Sequence, residues 1–494
     1  YNRTSEIIWM LNMMLLNDKR QTIDAKGVFK HGELTEQGKQ LIYEKSKGYI
    51  SYLRGENPIS FPLRITPKYL KNRNNDTLFP NYSKQHQKSI IDNRHSPKFN
   101  YAGGTINREN RFKFLELLGS KMNGLQEVVY TTAINEIIEA RGRDNQENDD
   151  KGSLNSIIDN IVLTQITDFV FPIPGKDVRD LSDGTVKVED FYGTTGVKNS
   201  LNKRGQSYTY KDASYPFFDR DFVKNHSSKM ASVLDEIDNT EGIVFVYTNF
   251  VESGITPLQL MLEHNGYKRF DRRRVLNFPE YKSSLNKHKC KREPMSYNGL
   301  RKSEAGDEFK QANFIVIDGS TNKKELSEQL NIISSKSNMR GERIKIILGT
   351  VVASEGLDFK RIRSIHILDP WVHLNRIEQT IGRGIRFCSH SDLDKKDRNV
   401  LTYLHAATLK NDKETIDCSI YRYAESKSLQ IGLVETILKK NAIDRYLYES
   451  VNVIKQGSMN IVPVQPPIYQ SKQITMDPTD KAYSKVCSYM PDCD

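Results

Sequence analysis

The chain has 494 residues, with 73 Lys and Arg against 62 Asp and Glu, a net charge of +11 and a pI near 9.1. At 37% hydrophobic and 27% charged residues it holds enough apolar side chain for two or three folded domains, which excludes a disordered polymer. The positive balance points to polyanionic partners, nucleic acid first. Five scattered cysteines (Cys290, Cys388, Cys418, Cys487 and Cys493) argue against a disulfide framework and for a reducing compartment.

Residues 1–20 read as a helix capped by Thr4, with Ile7, Ile8, Trp9, Met10, Leu11, Met13, Met14, Leu15 and Leu16 apolar nearly all round. Such a helix must be buried, and about ten apolar residues with Asn12 among them cannot span a bilayer. No signal peptide is visible. Thr35 to Ser46 predicts a helix capped by Thr35 and stopped by Gly48. Tyr49 to Pro67, punctuated by Gly55, Pro58 and Pro62, predicts strand–turn–strand. Lys68 to Arg111 is polar and reads as a loop excursion, and Phe112 to Arg141 returns to helical spacing. Gly142 to Gly152 is almost wholly polar, a solvated linker. Short apolar runs at Ile161–Leu163 and Phe169–Ile173 follow among loops.

A block of alternating strands and helices begins near His226. Ile243–Tyr247 is an apolar strand, followed by a Leu258–Asn265 helix closed by Gly266. Lys268 to Lys310 is strongly basic: either a solvated face, or a phosphate-backbone contact through Arg272, Arg273 and Arg274 with Phe270, Phe278, Tyr281 and Tyr297 for stacking. Phe314–Ile317 is the next strand, leading through Asp318–Thr321 into a Lys323–Ser334 helix. Ile344–Leu348 and Ile365–Leu368 are two more strands, joined by a loop rich in Gly, Ser, Glu and Asp. The alternation implies a parallel α/β sheet with ligand sites beyond the strand carboxyl ends. After the last strand, Gln379–Arg386 reads QTIGRGIR on a helical pattern. At about 100° per residue, Arg376, Gln379, Arg383 and Arg386 fall within roughly 80° of one face. Gly382 and Gly384, each costing about 1 kcal/mol inside a helix, suit a backbone passing close to a ligand or facing domain. Planar guanidinium forks suit a transferring phosphoryl group. Trp371 and His373 read as packing anchors.

QTIGRGIR resembles motif VI of superfamily 2 helicases and Swi/Snf-type ATPases, GTVVASEGLDF resembles motif V, and GIVFVYTNFVESG (Gly242–Gly254) resembles motif IV. SYLRGENPISFPLRI (Ser51–Ile65), the run GLDF..IRSIHILDPWVHLNRIEQTIGR and the Tyr421–Asp444 tail are similar to the large-DNA-virus branch. That branch holds poxvirus-like nucleoside triphosphate phosphohydrolase I and the early transcription factor ATPases. The resemblance covers most of the chain, weakly from Asn145 to Tyr215 and past Val453. It implies a second RecA-like lobe, a parallel sheet flanked by helices, with mainly helical accessory regions. It also implies that Arg383 and Arg386 act as arginine fingers oriented by Gln379, and that Glu355, Gly356, Asp358 and Gly382 face the nucleotide. Thr248, Gly349 and Thr350 would contact nucleic acid beside Arg272 to Arg274.

The phosphate-cradling GxxxxGK[ST] loop of such ATPases does not occur in the sequence. Gly193–Ser200 (GTTGVKNS) has the composition of one without its spacing and reads as an ordinary loop. Asp235–Asp238 (DEID) imitates the magnesium-holding acidic motif, yet Met230, Val233, Leu234 and Ile237 have helical spacing, so it reads as the end of a solvated helix. The expected organisation is a terminal helix of a truncated first lobe (1–20), an interlobe and accessory region (21–225), a second lobe (226–440) with a basic insertion (268–310), and a C-terminal extension (441–494). On this reading the chain is a fragment cut after motif III of an ATP-dependent helicase or translocase in viral transcription. ATP and Mg²⁺ would be held mainly by the other lobe, with a viral RNA polymerase as partner, in host cytoplasm or virion. The alternative is a non-hydrolysing nucleic-acid-binding or scaffold subunit of a transcription complex. Neither His288 with Cys290 nor Cys487 with Cys493 repeats as a zinc site would.

Overall fold

A computed structural model of the chain describes residues 5–30, 32–70, 88–142, 157–270, 272–277, 293–354, 356–455, 457–491 and 493. In chain order its principal elements are α1 (Glu6–Asn17), α2 (Glu36–Ser46), β1 (Leu63–Ile65), β2 (Lys88–Ile91), β3 (Leu117–Lys121), α3 (Gly124–Gly142) and α4 (Ile157–Asp168). Then come α5 (Ser228–Asn239), β4 (Ile243–Tyr247), α6 (Thr256–His264), β5 (Lys268–Arg269), β6 (Asn313–Ile317), α7 (Lys323–Ser334), β7 (Ile346–Gly349) and β8 (Ile362–Ile367). The chain continues through α8 (Leu374–Ile381), β9 (Asn399–Thr408), α9 (Ile416–Lys440), β10 (Val462–Val464) and β11 (Ile474–Met476).

β1 to β9 form one 9-stranded sheet in the order β2-β3-β9-β8-β4-β7-β6-β5, with β1 beside the first half of β9. Every pairing is parallel except β2 with β3. β4 sits centrally and alternates between two cores: Val244 and Val246 face α5 and α6, while Ile243, Phe245 and Tyr247 face the side holding Ile381 and Phe359. A parallel strand covered on both faces has no polar side, which is why IVFVY is apolar throughout. The sheet draws strands from both sides of the expected junction at 225/226. β10 and β11 pair as an antiparallel hairpin whose Val464 and Met476 pack on Ile65, Leu401 and Tyr403.

Several expectations need correction. Between Tyr49 and Pro67 only β1 is regular, since Pro58 and Pro62 offer no donor to a ladder. Lys68 to Arg111 contains β2, an edge strand of the main sheet, with residues 71–87 outside the described set. Phe112 to Arg141 begins with β3 before turning helical. Gly193–Ser200 is a helix rather than a loop, because Val197 is buried and Gly196 lies against Phe171 and Phe191, packing that overrides the low propensity of two glycines. DEID does end a helix, but not a solvated one. Glu236 is buried against Lys88 at 3.2 Å, and Arg220 clamps Asp235 and Asp238. α1 is buried on one side only, through Ile7, Ile8, Leu11 and Leu15; Trp9, Met10, Met13 and Leu16 are exposed. Cys487 and Cys493 form a disulfide, against the expectation of none. The Thr35 cap is as expected, accepting from Gly38 N–H at 2.9 Å. Thr4, the Gly142–Gly152 linker beyond Gly142, and His288 with Cys290 lie outside the described residues. Among the described residues no helix is long and apolar enough to cross a membrane.

The other face of β8 and β9 is polar yet buried. His366 Nδ1 lies 3.0 Å from His405 Nε2, and the Tyr403 hydroxyl donates to Glu236 at 2.9 Å. Nearby, Lys229 at the start of α5 reaches Asp168 at 2.6 Å and Asp417 at 3.0 Å, all three without solvent exposure. Burial works against the Lys229 charge, but Asp168, Asp417 and Asp369 outweigh it and hold its pKa up. Replacing Lys229 with Ala strands two carboxylates in the interior and should cost about 3–5 kcal/mol in urea unfolding; a loss below about 1 kcal/mol would contradict this account. Burial also pushes His226 and His390 down to about 4 and His366 to about 3. The unfolded chain protonates these rings near pH 6.5 while the folded chain does not. Each therefore withdraws stability as pH falls from about 6.5 toward its folded value, up to about 1.4 kcal/mol per pH unit. Their NMR ring resonances should not titrate between pH 7 and 5; a midpoint near 6.5 would refute their burial as neutral rings.

Candidate functional site

The carboxyl ends of the central parallel strands are tied to one another by the residues that follow them. Thr248, after β4, donates its N–H to Gly349 O at 3.1 Å, and Thr350, after β7, donates to Ile317 O at 3.1 Å. Asp369, beyond β8, accepts from the Asn249 backbone N–H at 2.8 Å and from the Asn249 side-chain amide. Burial raises the Asp369 pKa, opposed by these donors and by Lys229. Gly349 has no room for a side chain: a Cβ there would lie 2.5 Å from Ala353 Cβ and 2.9 Å from Phe245 Cε2.

From Gly349 the chain runs back across the sheet to the amino end of β8. It passes through a 3₁₀ turn (Val351–Ser354) and then Gly356, whose φ of +71° only glycine adopts cheaply. Nothing lies within 4 Å of where a Gly356 Cβ would stand, so the backbone torsion, and not a close approach, requires the glycine. Glu355 lies outside the described residues. Asp358 and Phe359 then precede β8.

α8 returns antiparallel to β8, with Leu374, Ile377 and Ile381 buried and Gln379 exposed. Arg376 stacks over the Trp371 ring at 4.0 Å, and Arg64 Nη1 grips Glu378 through both carboxylate oxygens at 2.9 Å. The helix stops at Ile381 and Gly382 caps it, so Arg383 and Arg386 sit in a turn and not on the shared helical face that the spacing predicts. Gly384 packs on the sheet instead of opening toward a ligand: its Cβ would meet Ile365 Cδ1 at 3.0 Å and Ile362 Cβ at 3.1 Å. The turn is locked by Phe359 N–H donating to Arg383 O at 3.1 Å and Arg361 N–H donating to Ser389 O at 3.1 Å. Arg386 Nη1 meets Asp358 Oδ1 at 2.5 Å while its Nε donates to Gly382 O at 3.2 Å. The two side chains of this pair stay 38% and 62% exposed, leaving the guanidinium open to exchange its carboxylate for another anion.

The structure thus brings Asp358, Gly382, Arg383 and Arg386 together at the amino end of β8, with Gln379 one helical turn away. Gly349 and Thr350 lie at the opposite rim, beyond the carboxyl end of β7, whereas the expectation placed all the ligand sites beyond the carboxyl ends. The reason is that α8 carries its last turn back along the strand it follows. Thr248 is fully buried and its hydroxyl accepts from Phe250 N–H, so it offers no surface to a polyanion; Thr350 is 6% exposed. Arg272, Arg273 and Arg274 lie at the far edge of the sheet beyond β5. Arg272 is held by Glu325 of α7, whose hydrogen bond keeps the arginine pKa up and the glutamate's down, while Arg273 and Arg274 are exposed. Phe278 and Tyr281 lie outside the described residues.

Two buried or half-buried charges outside motifs IV to VI fasten the surrounding elements. Arg64 fixes α8 through Glu378, and Glu425 of α9 accepts the backbone N–H groups of Lys113, Phe114 and Leu115 at 2.7–2.8 Å, fastening the approach to β3. A carboxylate straight after an apolar strand, as in Leu368-Asp369, is a readable sign for Asp369; nothing in the sequence marks Lys229.

Residues 258–388 match the helicase conserved C-terminal domain. The chain is 27% identical over 398 residues to a putative ATP-dependent RNA helicase of Acanthamoeba polyphaga mimivirus, a match covering 68% of this chain and 32% of that protein. It is 28% identical over 289 residues to a second such mimivirus helicase, covering 57% of this chain and 44% of the relative. It is 30% identical over 237 residues to a termination factor NPH-I homolog of African swine fever virus, covering 45% of this chain and 33% of the relative. The chain therefore spans less than half the length of these curated relatives. Residues 258–388 thus carry a helicase conserved C-terminal domain, built on a mostly parallel α/β sheet, in a chain similar to helicases of large DNA viruses.

Proposed function

We propose that the complete protein is an ATP-dependent nucleic-acid helicase or translocase in which residues 226–440 form the second lobe and deliver Arg386 to a nucleotide held across a cleft. The observation that carries this reading is the half-exposed Arg386–Asp358 pair, joining the motif V and motif VI segments on one side of the sheet. A delocalised fork whose one ionic partner is itself solvated fits a phosphate group. The chain's own sequence lacks the loop that would cradle a triphosphate, so ATP and Mg²⁺ belong mainly to the remainder of the protein. When bound, ATP supplies the γ-phosphoryl group for transfer to water. Arg386 leaves Asp358 to meet the charge spread over that group, Arg383 adds a second cation beside it, and Gln379 orients the pair. Asp358 and Gly356 belong to the adjoining nucleotide-facing loop. Thr350 and the exposed Arg273 and Arg274 face the nucleic acid, with buried Gly349 setting the backbone beneath Thr350.

A relative is named a termination factor NPH-I homolog, which supports a role in viral transcription; an RNA polymerase partner, and a place in the host cytoplasm or the virion, belong to the same proposal. A second reading, a non-hydrolysing nucleic-acid-binding scaffold subunit, is favoured by the missing phosphate loop alone. The two separate on one comparison. In the full-length protein Arg386→Ala should lower kcat about 10³-fold or more while nucleic-acid affinity stays close to wild type. The 494-residue chain alone should hydrolyse no ATP. ATPase activity in the isolated chain would overturn the assignment of ATP to the rest of the protein, and an unchanged kcat in the full-length variant would overturn the motor reading.

A further inference from the structure

The C-terminal extension carries a second charged surface, distant in sequence from motifs IV to VI. Where α9 ends, the chain and the returning tail line a cleft of about 280 Å³, whose walls include Lys440, Arg445, Lys455 and the disulfide-bonded Cys487 and Cys493. Neighbouring charges are already committed. Lys439 donates to Val486 O at 3.0 Å and to Ser488 Oγ at 2.6 Å, and Asp480 is held by Arg54 at 2.8 Å and by Ile454 N–H at 2.8 Å. Lys440, Arg445 and Lys455 have no ion-pair partner among the described residues, and they outnumber Glu449, the remaining carboxylate of the lining. Over the same stretch Tyr446 is 85% and Tyr448 38% exposed. With Ile443, Leu447 and Val451 also exposed, these rings belong to a run of exposed apolar side chains, and a contiguous patch of that kind marks an interaction surface.

We propose that this surface is a second contact for a single nucleic-acid strand, with backbone phosphates in the cleft against Lys440, Arg445 and Lys455 and bases stacked on Tyr446 and Tyr448. Cations with interleaved rings grip a flexible polyanion without reading its sequence, because every base offers a face and every nucleotide a phosphate. A protein partner would cover the rings but leaves three unpaired cations unexplained. The placement, at the end of a 25-residue helix whose middle packs on α8, gives the strand a hold outside the cleft between lobes. The inference rests on the proposed function only in taking nucleic acid as the ligand.

The test is fluorescence anisotropy of the chain with labelled 20-nucleotide oligothymidylate and oligouridylate across a salt series. The triple variant Lys440→Glu, Arg445→Glu, Lys455→Glu should bind at least about tenfold more weakly, and its slope of log affinity against log salt should fall by about 2, since each lost contact removes about 0.7. Tyr446→Ala alone should weaken binding about tenfold. Lys455→Glu, at an exposed side chain, should lower the slope by about 0.7 without touching the fold. An Arg273→Ala, Arg274→Ala variant separates the two sites. If it weakens binding while the triple variant binds like wild type with the same slope, the C-terminal contact is refuted and the motor reading stands. If the triple variant binds like wild type and only a protein ligand is lost, the surface belongs to that protein and the proposal falls. If the triple variant weakens binding and the Arg273, Arg274 variant does not, the C-terminal contact holds and the proposed strand path along the sheet edge fails.

Discussion

The functional reading depends on one close approach. The turn after α8 lies so near β8 that a methyl group on Gly384 would fit only if Ile362 and Ile365 gave way by a few tenths of an ångström. The hydrogen bond from Phe359 to Arg383 O closes the same contact from the other side. Because both segments flank one buried strand, the motif V loop and the motif VI turn cannot drift apart without opening the core. Asp358 and Arg386 are neighbours as a result. A guanidinium on a long flexible stem loses less entropy on meeting its target when the backbone below it is already fixed.

The interior behind that contact is unusually charged. Asp369 ties the ends of β4 and β8, and Lys229 joins α5 to α4 and α9 through Asp168 and Asp417. An ion cluster of this kind adds little net stability compared with apolar packing, because desolvation offsets most of the attraction. Its effect is on specificity of arrangement. Two carboxylates sharing one ammonium hold only one geometry well, and any displacement of a helix leaves a charge unpaired. The loops at the two rims are in this way attached to a single stiff body. Such a body suits a lobe that moves as a unit against another.

Much of this fold is legible in the sequence where burial is complete on both faces. Ile243–Tyr247 and Lys323–Ser334 have the bounds that the pattern gives, and Phe314–Ile317 misses only Asn313, because an apolar five-residue run between turn residues permits little else. What the pattern hides is set by partners distant in sequence. β2 and β3 look polar or helical because their neighbours arrive from β9 and from the Ser228–Asn239 helix. The 100° wheel places Arg383 and Arg386 on a helix face, yet it carries no information about where capping ends the helix, and Gly382 ends it one residue too soon. The glycines are noticeable in the sequence for the right reason, close approach, but the body approached is a strand of the same lobe. Arg64 and Glu425 lie in segments that carry the resemblance, but they act through partners more than 300 residues away, so their roles could not be read locally.

The seating of the 382–386 turn on β8 is therefore the point on which the account is most exposed. In the complete protein, Gly384→Val forces that turn off Ile362 and Ile365 without altering any charged group. The steady-state ATPase rate of such a variant, still melting cooperatively and still binding its strand, should fall at least about tenfold in kcat. A kcat equal to wild type would show that Arg386 does not depend on this seating to reach its phosphate, and would contradict the account.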